Sequence, residues 1–336
     1  AQDWSQVTRF CLWFSSTNQS MADWDDSESS DDIEDKERVT LGDAVGNTSD
    51  ILYFDMTASL YAQLGRIVLE EKGVEYKKVK IDLQATDQLK PEFARINPLM
   101  QVPALSDRGR IVNDSRDIVR YVNDHFRGPN LIPTNQKGKV DRVLDYLYFK
   151  DGQGAGRPDL GSFAWQTGFR SSFLPLKIMP KVAGPSMAEK MIGKLRDDNP
   201  DLHDVYQAKI ERMSGKHQDI SWEALCEAVQ ESINGLAQLA TEAKSNGEWL
   251  TGPEFSLGDA CASVWLQWVL WASEWEEVID IPEDLREWHE EAVARPAFRS
   301  CMYPGDQEPF VLDHVRWKVY NKLSFGFADP HYHRPR

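Results

Sequence analysis

At 336 residues the chain is too long for one average domain and suits two, at roughly 100–200 residues each. Hydrophobic residues at 41% and aromatics at 11% supply enough apolar surface for a core, so a chain disordered throughout is excluded. With 38 basic against 54 acidic residues, a net charge of -16, a phosphate-backbone footprint is disfavoured and nucleic acid is not expected as a partner.

The chain opens on Ala1, while the string MADWDDSESSDD from Met21 would also serve as a cytosolic start, which makes residues 1–20 suspect as native sequence. Between Met21 and Asp50 stand 11 acidic and 2 basic residues, more than half of the net charge, and residues 1–50 are expected to form a solvated, flexible lead-in. After Asp50 short apolar strands alternate with amphipathic stretches. Ile51–Asp55 reads as a buried strand, and Leu60, Leu64, Ile67 and Val68 share one face of a helix that Gly73 ends. Alternation over Val74–Leu83 predicts a half-buried strand. A short helix near Pro91–Ile96, strands at Val102–Leu105 and Ile111–Val112, and a helix over Arg116–Phe126 complete the order βαβαββα.

Pro129 and Pro133 mark a linker, beyond which the period is helical, as in Val140, Val143, Leu144 and Leu147. The Gly- and Pro-rich stretch from Asp151 to Pro200 predicts an irregular insertion, taken as about 151–218, that lies over a cleft between domains. Helices follow over 219–244 and 256–273, the second opened by Ser256 and Asp259 as a capping box with Phe255 as a staple. The tryptophans 265, 268, 271 and 275 recur at helical spacing, which says packing before ligand. Residues 303–336 form an appended tail. The most apolar run, Ala260–Ala272, is shorter than the ~18 residues of a spanning helix, so no membrane span is expected. Four scattered cysteines, 11, 226, 261 and 301, show neither zinc spacing nor a disulfide framework; no metal is expected, and a reducing compartment fits best.

Four segments carry a resemblance when taken in order. Asn97-Pro98-Leu99-Met100-Gln101-Val102-Pro103-Ala104-Leu105 is similar to the loop and strand around the cis-proline of glutathione S-transferases, and Asn113-Asp114-Ser115-Arg116 to the acidic-Ser helix start that follows it. Phe255-Ser256-Leu257-Gly258-Asp259-Ala260 resembles the capping signature of that family's second domain, and Arg295-Pro296-Ala297-Phe298 its close. The resemblance implies a thioredoxin-like α/β N-terminal domain at 51–128 followed by an all-α C-terminal domain at 136–302. Asn199-Pro200-Asp201-Leu202 with Tyr206, Ala208, Lys209, Glu211 and Arg212 is similar to the inserted segment of the branch that holds tetrachlorohydroquinone dehalogenase-like and ganglioside-induced differentiation-associated protein-like members.

Glutathione as co-substrate and a small hydrophobic or aryl electrophile are thereby implied, in conjugation or in thiolytic removal of halide or aryl ether. A homodimer in the cytoplasm, serving detoxification, is implied too. Ser59 falls where the family keeps its catalytic residue, at the opening of a helix whose dipole favours an anion, and a hydroxyl there stabilises a thiolate. The same Ser is a plain N-cap on the alternative reading. Val102-Pro103 is implied to be a cis peptide whose Val102 backbone pairs with the cysteinyl part, against Pro103 as an ordinary strand-start proline. Asp114 and Ser115 are implied to hold the γ-glutamyl end, and Gln101 the glycyl end. Tyr61, Tyr148 and Trp165 are candidates for the electrophile pocket, with Tyr53 and Tyr61 as reserve donors. Leu60, where many relatives have proline, and Asp114, where Glu or Gln is usual, depart from the pattern. They favour the other class of function, a non-catalytic scaffold or regulatory subunit on the same fold.

Overall fold

The computed structural model describes residues 39–302 apart from 58, 84, 150–184, 216–220 and 277–278. The tail 303–336, residues 1–38, Trp165 and most of the expected irregular insertion lie outside the described residues.

β1 (Ile51–Asp55) is buried on both faces, as a continuous ILYFD run requires, and it takes the centre of a four-stranded sheet. The strand order is β2-β1-β3-β4, with β2 (Lys77–Lys80) parallel to β1, and β3 (Ala104–Asp107) and β4 (Arg110–Asn113) antiparallel. Period-2 alternation sorts the side chains by face. Leu52, Phe54, Val79 and Ala104 form one apolar cluster with Phe93 of α3 (Pro91–Ile96). Tyr53 and Leu105 face the opposite side, toward α2 (Leu60–Lys72) and α4 (Ser115–His125).

The strand expected over Val74–Leu83 is confined to 77–80, and β3 starts at Ala104, after Pro103, which has no N–H for a ladder. A larger difference lies in front of β1. Residues 39–50, expected in the flexible lead-in, contain α1 (Leu41–Ala44), capped by Thr40, and Val39 donates to the Lys78 carbonyl. Ala44 is buried and Val39 and Leu41 pack beside it on Leu52, Phe54 and Val79. Apolar cover for that face outweighs the solvation of the acidic residues around it.

The helical half runs from α5 (Lys137–Leu147) through α6 (Pro185–Asp198), α7 (His203–Gly215), α8 (Trp222–Asn246), α9 (Leu257–Glu276), α10 (Glu283–Val293) and α11 (Pro296–Met302). α9 is the buried centre and packs on both α2 and α5, so one apolar cluster runs from Tyr53 and Leu64 to Trp265 and Val269. The capping box at its start is formed. Ser256 N–H donates to Asp259 Oδ2 at 3.1 Å, Asp259 N–H returns to Ser256 Oγ at 3.3 Å, and the Ser256 hydroxyl, the Leu250 amide and the Thr251 hydroxyl also donate to the carboxylate. Burial nonetheless pushes the Asp259 carboxyl up to about 6.

Arg66 of α2 is wholly buried. Its Nη2 donates to Asp55 Oδ1 at 2.8 Å and to the Thr57 carbonyl at 3.2 Å, while Nη1 donates to the Cys301 carbonyl at 2.6 Å. Burial works against its charge, and Asp55 beside it raises the guanidinium pKa above the ordinary value. Truncation of one partner leaves a buried charge unpaired, so Arg66→Met is expected to lower unfolding free energy by about 3–5 kcal/mol in urea titrations. Asp55→Leu combined with Arg66→Met is expected to lose less than Arg66→Met alone.

His289 of α10 is buried, with Nε2 3.1 Å from the Ser263 carbonyl, and burial lowers its pKa from 6.5 to about 4. A depressed imidazole pKa gives stability that is complete above pH 6.5 and lost as pH falls toward 4, at most about 3 kcal/mol. His289→Gln, which keeps a donor for Ser263, is expected to remove that acid-side slope. Urea midpoints of both proteins between pH 7 and 4 measure it.

Candidate functional site

Ser59 follows the β1 turn as the N-cap of α2, with φ -87° and ψ 119°. Its Oγ accepts from the Ala62 amide at a long 3.4 Å, which leaves the hydroxyl proton for a further acceptor. Both readings of Ser59 are therefore compatible in one geometry: the oxygen caps while the O–H donates. The turn before it is held by Gln63 Nε2, 3.1 Å from the Thr57 carbonyl, and by Arg66 on the same carbonyl. Gln63 Oε1 in turn accepts from Trp268 Nε1 of α9 at 2.7 Å.

The loop 97–103 contributes to the same cavity as Ser59. Asn97 is buried and staples it: its Nδ2 donates to the Gln101 carbonyl at 2.6 Å and its Oδ1 accepts from the Leu99 amide at 3.0 Å. Met100 takes φ 51°, and the Val102–Pro103 peptide is cis. Asp114 caps α4 at φ 72°, with Oδ1 accepting from the Arg116 amide at 2.8 Å. An L residue held at such a φ is one of the outliers that cluster at ligand sites, and Asp tolerates it better than most. The Ser115 side chain is buried, and its Oγ accepts from Tyr148 Oη at 2.9 Å.

These pieces line one open cleft of about 310 Å³, which brings together Ser59, Tyr61, Gln101, Val102, Pro103, Asp114 and Ser115. Tyr148, expected in the electrophile pocket, is instead buried behind Ser115 as its support, because its hydroxyl finds a partner there. Tyr53 is no reserve donor: it lies beneath α2 with Oη on the Ala62 carbonyl at 2.6 Å. Gly65 permits this approach, since a Cβ there would stand 2.2 Å from Tyr53 Oη.

Three polar lining residues had no role assigned from the sequence. Asn97 carries a turn signal in the Asn-Pro pair. Gln88 brings a buried Oε1 that has no hydrogen-bond partner. Lys209 reaches the cleft from α7, and only its place in the inserted-segment motif hinted at it. Among the described lining residues, Asp114 is the single anion and Lys209 the single cation. No group of three or more metal-ligating side chains occurs among the described residues, and no described helix is long and apolar enough to cross a membrane. Cys261 and Cys301 are buried and away from the cleft, with burial pushing the Cys301 thiol up to about 12, so neither is an activated nucleophile.

Residues 58–125 match the family model for the glutathione S-transferase N-terminal domain. Glutathione S-transferase F10 of Arabidopsis thaliana is 27% identical over 161 residues, 46% of this chain and 68% of that protein. Ganglioside-induced differentiation-associated protein 1-like 1 of Homo sapiens is 23% identical over 231 residues, 62% of this chain and 61% of that protein. Among solved structures, a beta-etherase from Sphingobium sp. strain SYK-6 matches with a TM-score of 0.51 at 20% identity, over 76% of this chain and 100% of that one, a likeness of fold alone. Across curated relatives the match spans from about a third to about two thirds of their length. Residues 58–125 thus form a glutathione S-transferase N-terminal domain, and the thioredoxin-like sheet with a helical half after it is the glutathione S-transferase fold.

Proposed function

We propose that the chain is a glutathione transferase-type enzyme that joins the glutathione thiolate to a hydrophobic or aryl electrophile, by conjugation or by thiolytic dehalogenation or ether cleavage. The observation that carries this reading is the common cleft of Ser59, Val102, Pro103, Asp114 and Ser115. Ser59 Oγ donates to the cysteinyl sulfur at the positive end of the 13-residue α2, and both effects favour thiolate over thiol. The Val102 backbone pairs with the cysteinyl amide groups. Asp114 takes the γ-glutamyl ammonium and Ser115 its carboxylate. In a displacement the sulfur lone pair forms the S–C bond, and the C–halogen or C–O bond breaks with its electron pair on the leaving group. Tyr61, half-buried beside Ser59, gives the electrophile an aromatic wall.

Calorimetry with glutathione, followed by absorbance titration of the bound thiolate, tests this. The wild type is expected to bind in the micromolar to millimolar range with a thiol pKa below the ordinary value of about 8.5. Ser59→Ala is expected to bind within a few-fold, return the thiol pKa toward about 8.5, and lower turnover by about 10²-fold. No binding at several millimolar would overturn the enzyme in favour of the scaffold.

Asp114→Asn separates charge from capping. Asn caps a helix as well as Asp and accepts a positive φ, so the fold is expected to hold within about 0.5 kcal/mol by thermal melting. Glutathione affinity is expected to fall about tenfold or more, because the ammonium loses its counter-charge.

A further inference from the structure

The opening turn of α4, which brings Asp114 and Ser115 to the cleft, is tied to the last turn of α5. Arg116 Nη2 donates to Asp145 Oδ1, and its guanidinium carbon lies 5.8 Å from the centre of the Tyr148 ring. Tyr148, the residue that caps α5, donates from Oη to Ser115 Oγ at 2.9 Å. Two adjacent residues of α4 thus meet two residues of α5 that stand one turn apart on the same face. A turn further along, Arg120 Nη2 donates to Asp141 Oδ1 at 2.9 Å and repeats the contact. Tyr148 and Ser115 are both buried, and burial holds the Tyr148 phenol protonated by raising its pKa well above the ordinary value. Among the described residues each hydroxyl has the other as its one hydrogen-bond partner. Were Ser115 to donate to Tyr148, the phenolic proton would be shut inside the protein without an acceptor, and such an unmade bond costs more than a made one returns. Tyr148 therefore donates, and the Ser115 proton is left for an acceptor in the cleft that Ser115 lines.

Resting on the glutathione reading above, we propose that Tyr148 is a positioning residue that fixes the direction of the Ser115 hydroxyl, so that Ser115 meets the γ-glutamyl carboxylate of the thiol tripeptide as a committed hydrogen-bond donor. A residue of the helical half thereby sets the chemistry of a residue of the sheet domain. A hydroxyl free to rotate offers a proton or a lone pair alike, and it receives an ammonium N–H as readily as it donates to an anion. With the Tyr148 proton on one lone pair, the Ser115 Oγ has its own proton to give, and the bond it receives polarises the O–H and strengthens the bond it makes. A carboxylate accepts only, so this polarity selects it over a neutral or cationic group. Asp114, next in sequence, has the opposite character and takes the ammonium, so adjacent residues divide the two charges of the γ-glutamyl end. The Arg116–Asp145 pair and the Tyr148 bond hold this turn before any ligand arrives, which lowers the ordering cost of binding.

The test uses calorimetry on the full chain with glutathione and with γ-aminobutyryl-cysteinyl-glycine, which keeps the ammonium, the thiol and the glycyl end and lacks only the γ-glutamyl carboxylate. The wild type is expected to prefer glutathione by about tenfold or more. Tyr148→Phe keeps the ring and removes the donor. It is expected to bind glutathione about five- to tenfold more weakly, with affinity for the analogue unchanged. In a Ser115→Ala background the same substitution is expected to change glutathione affinity by less than about twofold, because the group it acts through is gone. Tyr148→Leu is the second variant without a hydroxyl, and thermal melting checks that each protein folds. Unchanged glutathione affinity in either folded variant would overturn the proposal. Equal weakening of both ligands in Tyr148→Phe, or a loss that persists beside Ser115→Ala, overturns it too, since each marks a purely structural role. Whichever Tyr148 variants fold, Ser115→Ala with the full wild-type preference also overturns it. A wild type that binds both ligands without preference overturns this proposal alone. A wild type that binds neither overturns the glutathione reading and this proposal with it.

Discussion

The position of Ser59 depends on a guanidinium that has no access to solvent. Arg66 grips Asp55 at the end of β1, the Thr57 carbonyl in the turn, and the Cys301 carbonyl of α11. These three anchors come from the strand before Ser59, the turn that delivers it, and the far end of the helical half. Gln63 adds a second line, from Thr57 to Trp268 of α9. A buried ion pair of this kind contributes little net stability, because desolvation offsets most of the attraction. Its effect is geometric: few other arrangements satisfy all these groups at once, so the N-terminus of α2 has one place to be. A hydroxyl must lie within hydrogen-bond reach of a sulfur to stabilise its anion, and such precision comes from packing that surrounds the site and not from the site itself.

The net charge of -16 bears on the same cleft. An acidic protein repels an anionic tripeptide at long range, so attraction has to be built locally. Ser59 and Ser115, at the starts of α2 and α4, and the Lys209 side chain all line the cleft, and the positive ends of those two helices favour an anion. Partial charges at helix ends fall off within a turn, and salt screens them beyond about 10 Å. An anionic ligand of this cleft would therefore be drawn in over the last few ångströms only.

Elements whose cause is local were legible in the sequence. β1 announces itself as ILYFD, Gly73 at φ 64° ends α2 by accepting a left-handed turn, and the Ser256–Asp259 box starts α9 where the pattern put it. Trp265 and Trp268 are buried, in keeping with packing before ligand. The cleft residues Gln101, Val102, Pro103, Asp114 and Ser115 were found because they lie in two contiguous runs. What stayed hidden depends on partners far along the chain. Arg66 reads as an ordinary polar position of an amphipathic helix until Asp55 and Cys301 close over it. Tyr148 looks like a pocket aromatic until Ser115 takes its hydroxyl. Residues 39–50 read as solvated only because they follow the acidic run before them, and the sheet face that Ala44 covers is not visible in their composition.

Lys209 belongs to the same class, since the carbonyls it bonds lie far back along the chain. Leu89, Ala94 and Met100 leave an apolar patch beside the cleft loop, and the α6–α7 hairpin covers it with Ile192, Leu202 and Tyr206. Once that hydrophobic contact is made, the next turn of α7 stands over the carbonyls of residues 98–100, which no strand partner takes up. Cations at that turn satisfy those carbonyls, so Lys209 and Arg212 suit the packing whatever the chemistry. The charge of Lys209 then lies on the cleft as a by-product of docking. The same hairpin that covers the apolar patch thus places a positive charge on the cleft lining.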